Sequence, residues 1–406
     1  GLVGSEMCIR DSTGSGKTVL FSSIVNDHQG WCFTIAHRQE LVEQISIALG
    51  RFGVRHQLMC SAETRKLIVA KHMREFSKSF VDSSSRKIVA GVRTLIRKDL
   101  GAIADQVTLI IQDECHHIVQ GNEWGKAVEM FPNARLLGVT ATPCRADGKG
   151  LGRESDGYFD QLVVGPTMRE LIDRGHLCDY RIVWPQCRTL DLSGVGLDAT
   201  GDYKRKQLQL AVEKSQIVGD VVKEYKRFAD GKRGVTFVNS VATATTVAQV
   251  YCAAGVPAEV VTGKTAPGIR AHIVDRFARG ELLQLVNVDL FGEGFDLPAI
   301  EVVSFARPTM SYGLYVQQFG RALRLMDGKD RAVIIDHVGN VAKHGLPDAS
   351  REWTLAPRPK RQKKQQTDEI PLTSCPECAN IYERIYKICP FCGVKPEPVG
   401  REDPEQ

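Results

Sequence analysis

Residues 13–18 read TGSGKT, and a later apolar run, QVTLIIQ, delivers two adjacent acids, Asp113 and Glu114. In the first stretch, Gly14 and Gly16 let the backbone curl. The N–H groups of Thr13, Gly14, Ser15 and Gly16 can then surround phosphate oxygens. Lys17 would set a positive charge against the outer phosphates. Thr18 would offer its hydroxyl to Mg²⁺ at the start of the helix TVLFSSIVND, whose N-terminus favours an anion. In the second stretch, Asp113 is placed to hold Mg²⁺, and Glu114 to orient and deprotonate water for attack on a γ-phosphate. Each has a plainer reading, a glycine-rich turn and a pair of acids capping a helix. Taken together they describe Mg²⁺-assisted hydrolysis of ATP.

A second chemistry stands near the end of the chain. CPECANIYERIYKICPFCG holds Cys375, Cys378, Cys389 and Cys392 as two C-x₂-C pairs. Each pair can form a knuckle, and four thiolates close a tetrahedral Zn²⁺ site with no position left for catalysis. A disulfide pairing is the alternative, disfavoured if the chain resides in a reducing compartment. Tyr382 and Tyr386, between the knuckles, are placed either to stack on bases or to pack within so small a fold.

These residues need elements to hold them. WCFTIA (31–36), RKIVA (86–90), QVTLIIQ (106–112) and ARLLGVT (134–140) read as strands, and HRQELVEQISIALG (37–50) as an intervening amphipathic helix. YRIVWP, GVTFVNS, LLQLVNV, EVVSFA and RAVIIDH form a second set, with helices predicted over 214–229, 241–254, 266–279 and 311–325. Alternation of this kind means parallel sheets flanked by helices. The fold class is therefore α/β, in two domains of similar size that meet near 165–180, where Gly165-Pro166 begins the junction. APRPKRQKKQQ (356–366) has five basic residues and nothing to bury, so it reads as a linker.

The motifs and their order resemble superfamily 2 helicases of the DExH-box branch. TGSGKT, DECH and TAT (140–142) are similar to motifs I, II and III. AHRQELVEQ (36–44) is similar to motif Ia, and GVRTLIRK (91–98) to the next DNA-facing segment. GVTFVNSV (234–241), VNVDLFGEGFDLP (286–298) and QQFGRALR (317–324) are similar to motifs IV, V and VI. The resemblance implies two RecA-like domains that sandwich ATP. Gln317, Arg321 and Arg324 would share a helix face and reach the γ-phosphate from the second domain, with Gly294 and Asp296 lining the same cleft. His116 would hydrogen-bond towards Thr140 or Thr142 and couple phosphate state to domain position; His117 receives no role. Single-stranded nucleic acid would cross both domains on His37, Arg38, Gln39, Arg93 and Thr94, then Asn239, Ser240, Thr262 and Gly263. Such backbone contacts make binding salt-sensitive and largely sequence-independent. The segment DHVGNVAKHGLPDASREW (336–353), with the basic linker and zinc ribbon after it, resembles the RadD-like DNA helicases and phage relatives, kin to restriction-enzyme motor subunits. That points to DNA rather than RNA, and to repair, recombination or phage replication, with a replication or repair protein as a further partner for the ribbon.

The chain has 406 residues, 43% apolar and 25% charged, with a formal charge of +5. This is a globular composition, mildly basic, permitting a nucleic-acid partner without demanding one. No run approaches ~18 apolar residues, so no membrane span is expected. Eight of the twelve cysteines are scattered, which suits a cytoplasmic protein, nucleoid-associated in a bacterial or phage setting. A P-loop kinase or metabolic ATPase would leave GEGFD and QQFGRALR unexplained. A degenerate motor that only docks through its linker and ribbon is the other reading.

The beginning is anomalous. Asp11 and Ser12 stand where the resembled family has Ala or Gly and often Pro, and a carboxylate at 11 would repel phosphates. The strand that launches the loop is expected to be missing, with the helix carrying the adenine-reading glutamine. GLVGSEMCIRDS reads as adaptor-like sequence fused to a truncated frame. The expected organisation is thus a foreign segment 1–12, a first domain 13–170, a second 171–355, linker 356–370, ribbon 371–396 and tail 397–406.

Overall fold

The computed structural model describes residues 6–10, 16–143, 145, 149–185, 189–198, 201–288, 300–357 and 372–395. The first lobe is built on seven parallel strands. They are β1 (Met7–Arg10), β2 (Trp31–Ala36), β3 (Gln57–Met59), β4 (Lys87–Gly91), β5 (Val107–Asp113), β6 (Arg135–Thr140) and β7 (Gln161–Val164). Their order across the sheet is β3-β4-β2-β5-β6-β1-β7. Because side chains alternate along a strand, Phe33 and Ile35 of β2 enter one apolar layer and Cys32 and Ala36 the other. Both faces are covered, so these strands read as nearly continuous apolar runs.

One strand corrects the expectation for the start of the chain. The launching strand is present: MCIR forms β1, paired on one side with β6 (Cys8 with Gly138, Arg10 with Thr140) and on the other with β7 (Cys8 with Leu162). Three apolar residues suffice because both neighbours supply ladder hydrogen bonds. Cys8 is fully buried, with its Sγ 3.6 Å from that of Cys115.

The second lobe has six parallel strands: β8 (Tyr180–Val183), β9 (Gly234–Phe237), β10 (Ala258–Thr262), β11 (Gln284–Val288), β12 (Val302–Phe305) and β13 (Ala332–Asp336). They lie in the order β10-β11-β9-β12-β13-β8. The helices Ile217–Ala229, Val241–Ala253 and Pro267–Ala278 fall where their apolar spacing predicts them. The fourth is shorter than 311–325. It runs Tyr312–Gly320, tightens to a 3₁₀ turn over Arg321–Leu323, and leaves Arg324 extended (φ −65°, ψ 140°). Gln317, Arg321 and Arg324 therefore do not share one α-helical face. A short antiparallel pair, β14 (Leu372–Ser374) and β15 (Ile381–Glu383), forms the ribbon.

In both sheets every strand is parallel, so all carboxyl ends emerge along one edge. Loops at that edge are where open α/β sheets bind ligands, and the singled-out residues sit there.

Candidate nucleotide site between the two lobes

The helix Lys17–Asp27 starts from Gly16, whose φ of 92° is left-handed and open to glycine without strain. No acid occupies its first turn, so the N–H groups of the helix start and the Lys17 side chain together present positive potential. Thr13, Gly14 and Ser15 lie outside the described residues, as do Gly294 and Asp296.

β5 ends at Asp113, and Glu114 follows in the left-handed region (φ 51°, ψ 49°). For a residue with a Cβ this costs on the order of 1–2 kcal/mol. The bend sets the two carboxylates apart instead of continuing the strand. Asp113 Oδ1 accepts from the Glu114 N–H at 2.9 Å. Both acids are buried. Burial first, then the adjacent Glu114 charge, pushes the Asp113 carboxyl well above the usual carboxylate range, while Lys17 pulls it down. A cation between these groups would relieve that repulsion, which fits the donor set Thr18 and Asp113 to Mg²⁺.

Glu114 is gripped from both lobes. Gln317 Nε2 donates to Glu114 Oε2 at 3.4 Å, and His116 Nδ1 lies 3.3 Å from the same oxygen. His116 Nδ1 also lies 2.9 Å from Thr140 Oγ1. Thr140 gives its own proton to the Thr142 carbonyl at 3.3 Å, and accepts from the Thr142 N–H at 3.2 Å. That leaves its oxygen to accept from a protonated Nδ1. Arg321 and Arg324 from the second lobe line one cavity of about 350 Å³ with Gly16, Lys17, Thr18, Asp113 and Glu114. Burial lowers the pKa of Arg324, so an anion there would meet a poorly hydrated guanidinium.

Gln44 and His176 also line this cavity, and sequence reading missed both. Gln44 sits on the helix Gln39–Arg51 and His176 in the turn before β8. Gln44 closes the AHRQELVEQ segment but receives no role from it, and His176 belongs to no spaced motif.

His37, Arg38 and Gln39 follow β2, Arg93 and Thr94 follow β4, Asn239 and Ser240 follow β9, and Thr262 with Gly263 closes β10. All stand at carboxyl ends. Some already have local duties: Ser240 caps the helix Val241–Ala253 by accepting from Thr243 N at 3.1 Å, Thr262 Oγ1 accepts from Lys264 N at 3.2 Å, and exposed Arg93 pairs with Glu123 at 3.3 Å. The two sets are drawn together by an ion pair between Glu40, next to Gln39, and Arg270, which also donates to the Thr265 carbonyl at 2.9 Å. His117 acquires a setting: it lies 4.1 Å from the His116 ring and 5.4 Å from that of His37, and stacks on Trp124 at 5.4 Å.

In the ribbon, Cys375 Sγ lies 3.5 Å from Cys392 Sγ and Cys378 Sγ 3.7 Å from Cys389 Sγ, with all four sulfurs within 4.8 Å of one another. Tetrahedral zinc with Zn–S near 2.3 Å requires sulfurs about 3.8 Å apart, so the four could hold the ion. The knuckles are alike. The Ala379 N–H donates to the Cys375 carbonyl and the Gly393 N–H to the Cys389 carbonyl, both at 2.9 Å. Ala379 and Gly393 are both left-handed (φ 53° and 75°).

Comparison with known proteins matches this architecture. Residues 4–145 match the family model "Type III restriction enzyme, res subunit", and residues 213–326 match "Helicase conserved C-terminal domain". The 51.5 kDa protein of Lactococcus phage (isolate 7-9) is 31% identical over 388 residues, covering 95% of this chain and 77% of its own. The Saccharomyces cerevisiae protein named as ATP-dependent helicase IRC3 is 30% identical over 347 residues, 81% of this chain; the chain spans 48% of that protein's length. A fragment described as an HsdR subunit of a type I restriction enzyme from Vibrio vulnificus YJ016 shares the fold. Its TM-score is 0.62 at 21% identity, over 86% of this chain and 63% of that one. With two RecA-like lobes, both family models and a relative matched over 95% of this chain and 77% of its own length, this chain belongs to the superfamily 2 helicases, of the type III restriction enzyme and RadD-like type.

Proposed function

We propose that the protein hydrolyses ATP between its lobes and uses the cycle to move along single-stranded DNA, in repair, recombination or phage replication. The observation that carries this reading is the single cavity into which one lobe contributes Lys17, Asp113 and Glu114 and the other Arg321 and Arg324. Lys17 and the loop N–H groups bind the outer phosphates. Thr18 and Asp113 would hold Mg²⁺, which neutralises phosphate charge when bound. The Glu114 carboxylate accepts a proton from the attacking water, while Gln317 and His116 fix its oxygen. Arg321 and Arg324 stabilise charge that develops on the transferred group, so turnover requires both lobes.

His116, Thr140 and Thr142 tie the acid to β6, and the loops after β2, β4, β9 and β10 hold the strand through its phosphates. Likeness to a family named for a restriction enzyme supports DNA over RNA. The described cysteines are free thiols outside the ribbon, including Cys8 and Cys115 side by side, which supports a reducing interior such as the cytoplasm. No helix among the described residues is long and apolar enough to cross a membrane.

The test is ATP turnover with and without single-stranded DNA or RNA, in the intact chain and in Lys17→Ala. DNA-stimulated turnover that Lys17→Ala abolishes is expected. Turnover indifferent to either nucleic acid would sink the motor reading, and stimulation by RNA alone would sink the choice of DNA.

A further inference from the structure

The ribbon is joined to the second lobe through backbone and side chain alike. Its first knuckle caps the free edge of β8: the Trp184 N–H donates to the Ala379 carbonyl at 2.8 Å, and Val183 forms an antiparallel bridge with Asn380. Arg181 Nε donates to Asn380 Oδ1 at 2.7 Å, while Asn380 Nδ2 donates to Cys378 Sγ at 3.1 Å. Ala379 is buried in one core layer of the lobe, and Leu372 and Ile381 pack on the other. Tyr382 is buried against Cys375 and Cys389, which settles its role as packing.

The second half of the ribbon is different. Ile385, Tyr386, Ile388 and Phe391 are 60%, 51%, 53% and 63% exposed. Four large apolar side chains in seven residues make a dense exposed segment on so small a fold. Its charge is one-sided, since residues 381–395 contain Arg384, Lys387 and Lys395 against Glu383 alone. The preceding linker adds Arg358, Lys360, Arg361, Lys363 and Lys364. Rings set among cations complement unpaired bases on a polyanionic backbone. An apolar protein partner would gain nothing from that charge.

Position agrees with chemistry. All six strands of the lobe are parallel, so Trp184, just past β8, emerges on the same edge as Asn239, just past β9. β8 lies three strands from β9, or about 14 Å. A strand lying on the β9 and β10 loops and continuing along this edge reaches the ribbon. We propose that Tyr386 and Phe391 stack on bases of the single-stranded nucleic acid beyond the lobe, with Arg384, Lys387 and Lys395 facing its phosphates. This rests on the motor reading above for the direction of the track.

The test measures anisotropy of a dye-labelled oligothymidylate with the intact zinc-loaded chain. Variants are Tyr386→Ala with Phe391→Ala, the corresponding leucine pair, and Tyr386→Trp; metal content and melting temperature control for folding. Both pairs should bind roughly tenfold more weakly, since leucine keeps apolar bulk but has no ring, and Tyr386→Trp should hold its affinity. Unchanged affinity in the leucine pair overturns the proposal. So does unchanged DNA affinity with lost self-association, which would make a second copy of the chain the occupant. If DNA fails to stimulate turnover in the unaltered chain, the motor reading fails, while the affinity comparison still decides the ribbon's part.

Discussion

Glu114 combines a strained backbone, burial and two polar holders, one from each lobe. Replacing its carboxylate by an amide in Glu114→Gln keeps the shape and the contact to Gln317 but removes the proton acceptor. Single-turnover hydrolysis should fall about a hundredfold or more, while ATP binding persists because Lys17 and the loop are untouched. Near-normal hydrolysis would assign the base elsewhere. Lys17, Glu114 and Arg321 were legible in the sequence because phosphate chemistry fixes both their types and their neighbours. The cavity positions of Gln44, inside a segment matched for nucleic-acid contact, and of His176, in no motif, were not, since a cavity wall is assembled by the fold. His117 stood in plain view, but its ring neighbours His37 and Trp124 come from other elements and cannot be read from DECHH.

At the scale of elements, apolar pattern was a good guide wherever strands were long and covered on both faces. WCFTIA is β2 to the residue. It failed for β1, four residues too short to show a period, and for the helix Arg205–Glu213, which buries only Leu208 and Val212. It also gave no hint of the polar joint between the helices Gln39–Arg51 and Ala62–Phe76. There, buried Ser46 Oγ meets His56 Nε2 at 2.6 Å and His72 Nε2 at 3.2 Å, and His56 Nδ1 donates to the Val54 carbonyl at 2.9 Å. Burial lowers the pKa of both imidazoles, that of His56 to about 4. Below the ordinary histidine value near 6.5 the unfolded chain takes up the proton and the folded chain does not. The neutral joint therefore contributes full stability above pH 6.5 and loses it as pH falls towards 4. Between pH 7 and pH 5, His56 alone should account for about 2 kcal/mol of the loss. Denaturant unfolding of His56→Gln at both values should show a correspondingly flatter dependence. An unchanged slope would mean that His56 titrates normally in the fold.

At the scale of the whole molecule, the two lobes are joined by contacts at separate places along the chain. One is Gln317 on Glu114; another is the partly buried pair of Glu40 and Arg270 at the carboxyl edge. A third comes from the segment after β13: the Leu355 carbonyl accepts from Leu151 and Gly152 N–H groups at 2.9 and 3.1 Å, and Arg10 lies 4.9 Å over the Trp353 ring. Such a chain return was invisible in a stretch that reads as the approach to a linker. Of the three, the ion pair is the one beside the loops proposed to carry nucleic acid, next to Gln39 and near the turn at Thr262. It is therefore placed to make closure depend on the track. Breaking it in Glu40→Gln or Arg270→Met should lower DNA-stimulated turnover at saturating ATP several-fold, with smaller change in turnover without DNA. A double-mutant cycle should give a coupling of about 1–2 kcal/mol, because both partners are shielded from solvent more than an ordinary surface pair. Exchanging the charges, Glu40→Arg with Arg270→Glu, should recover part of the stimulated rate. If the single variants respond to DNA like the unaltered chain, the pair is surface decoration, and closure rests on the Gln317 contact and the chain return at Trp353 and Leu355.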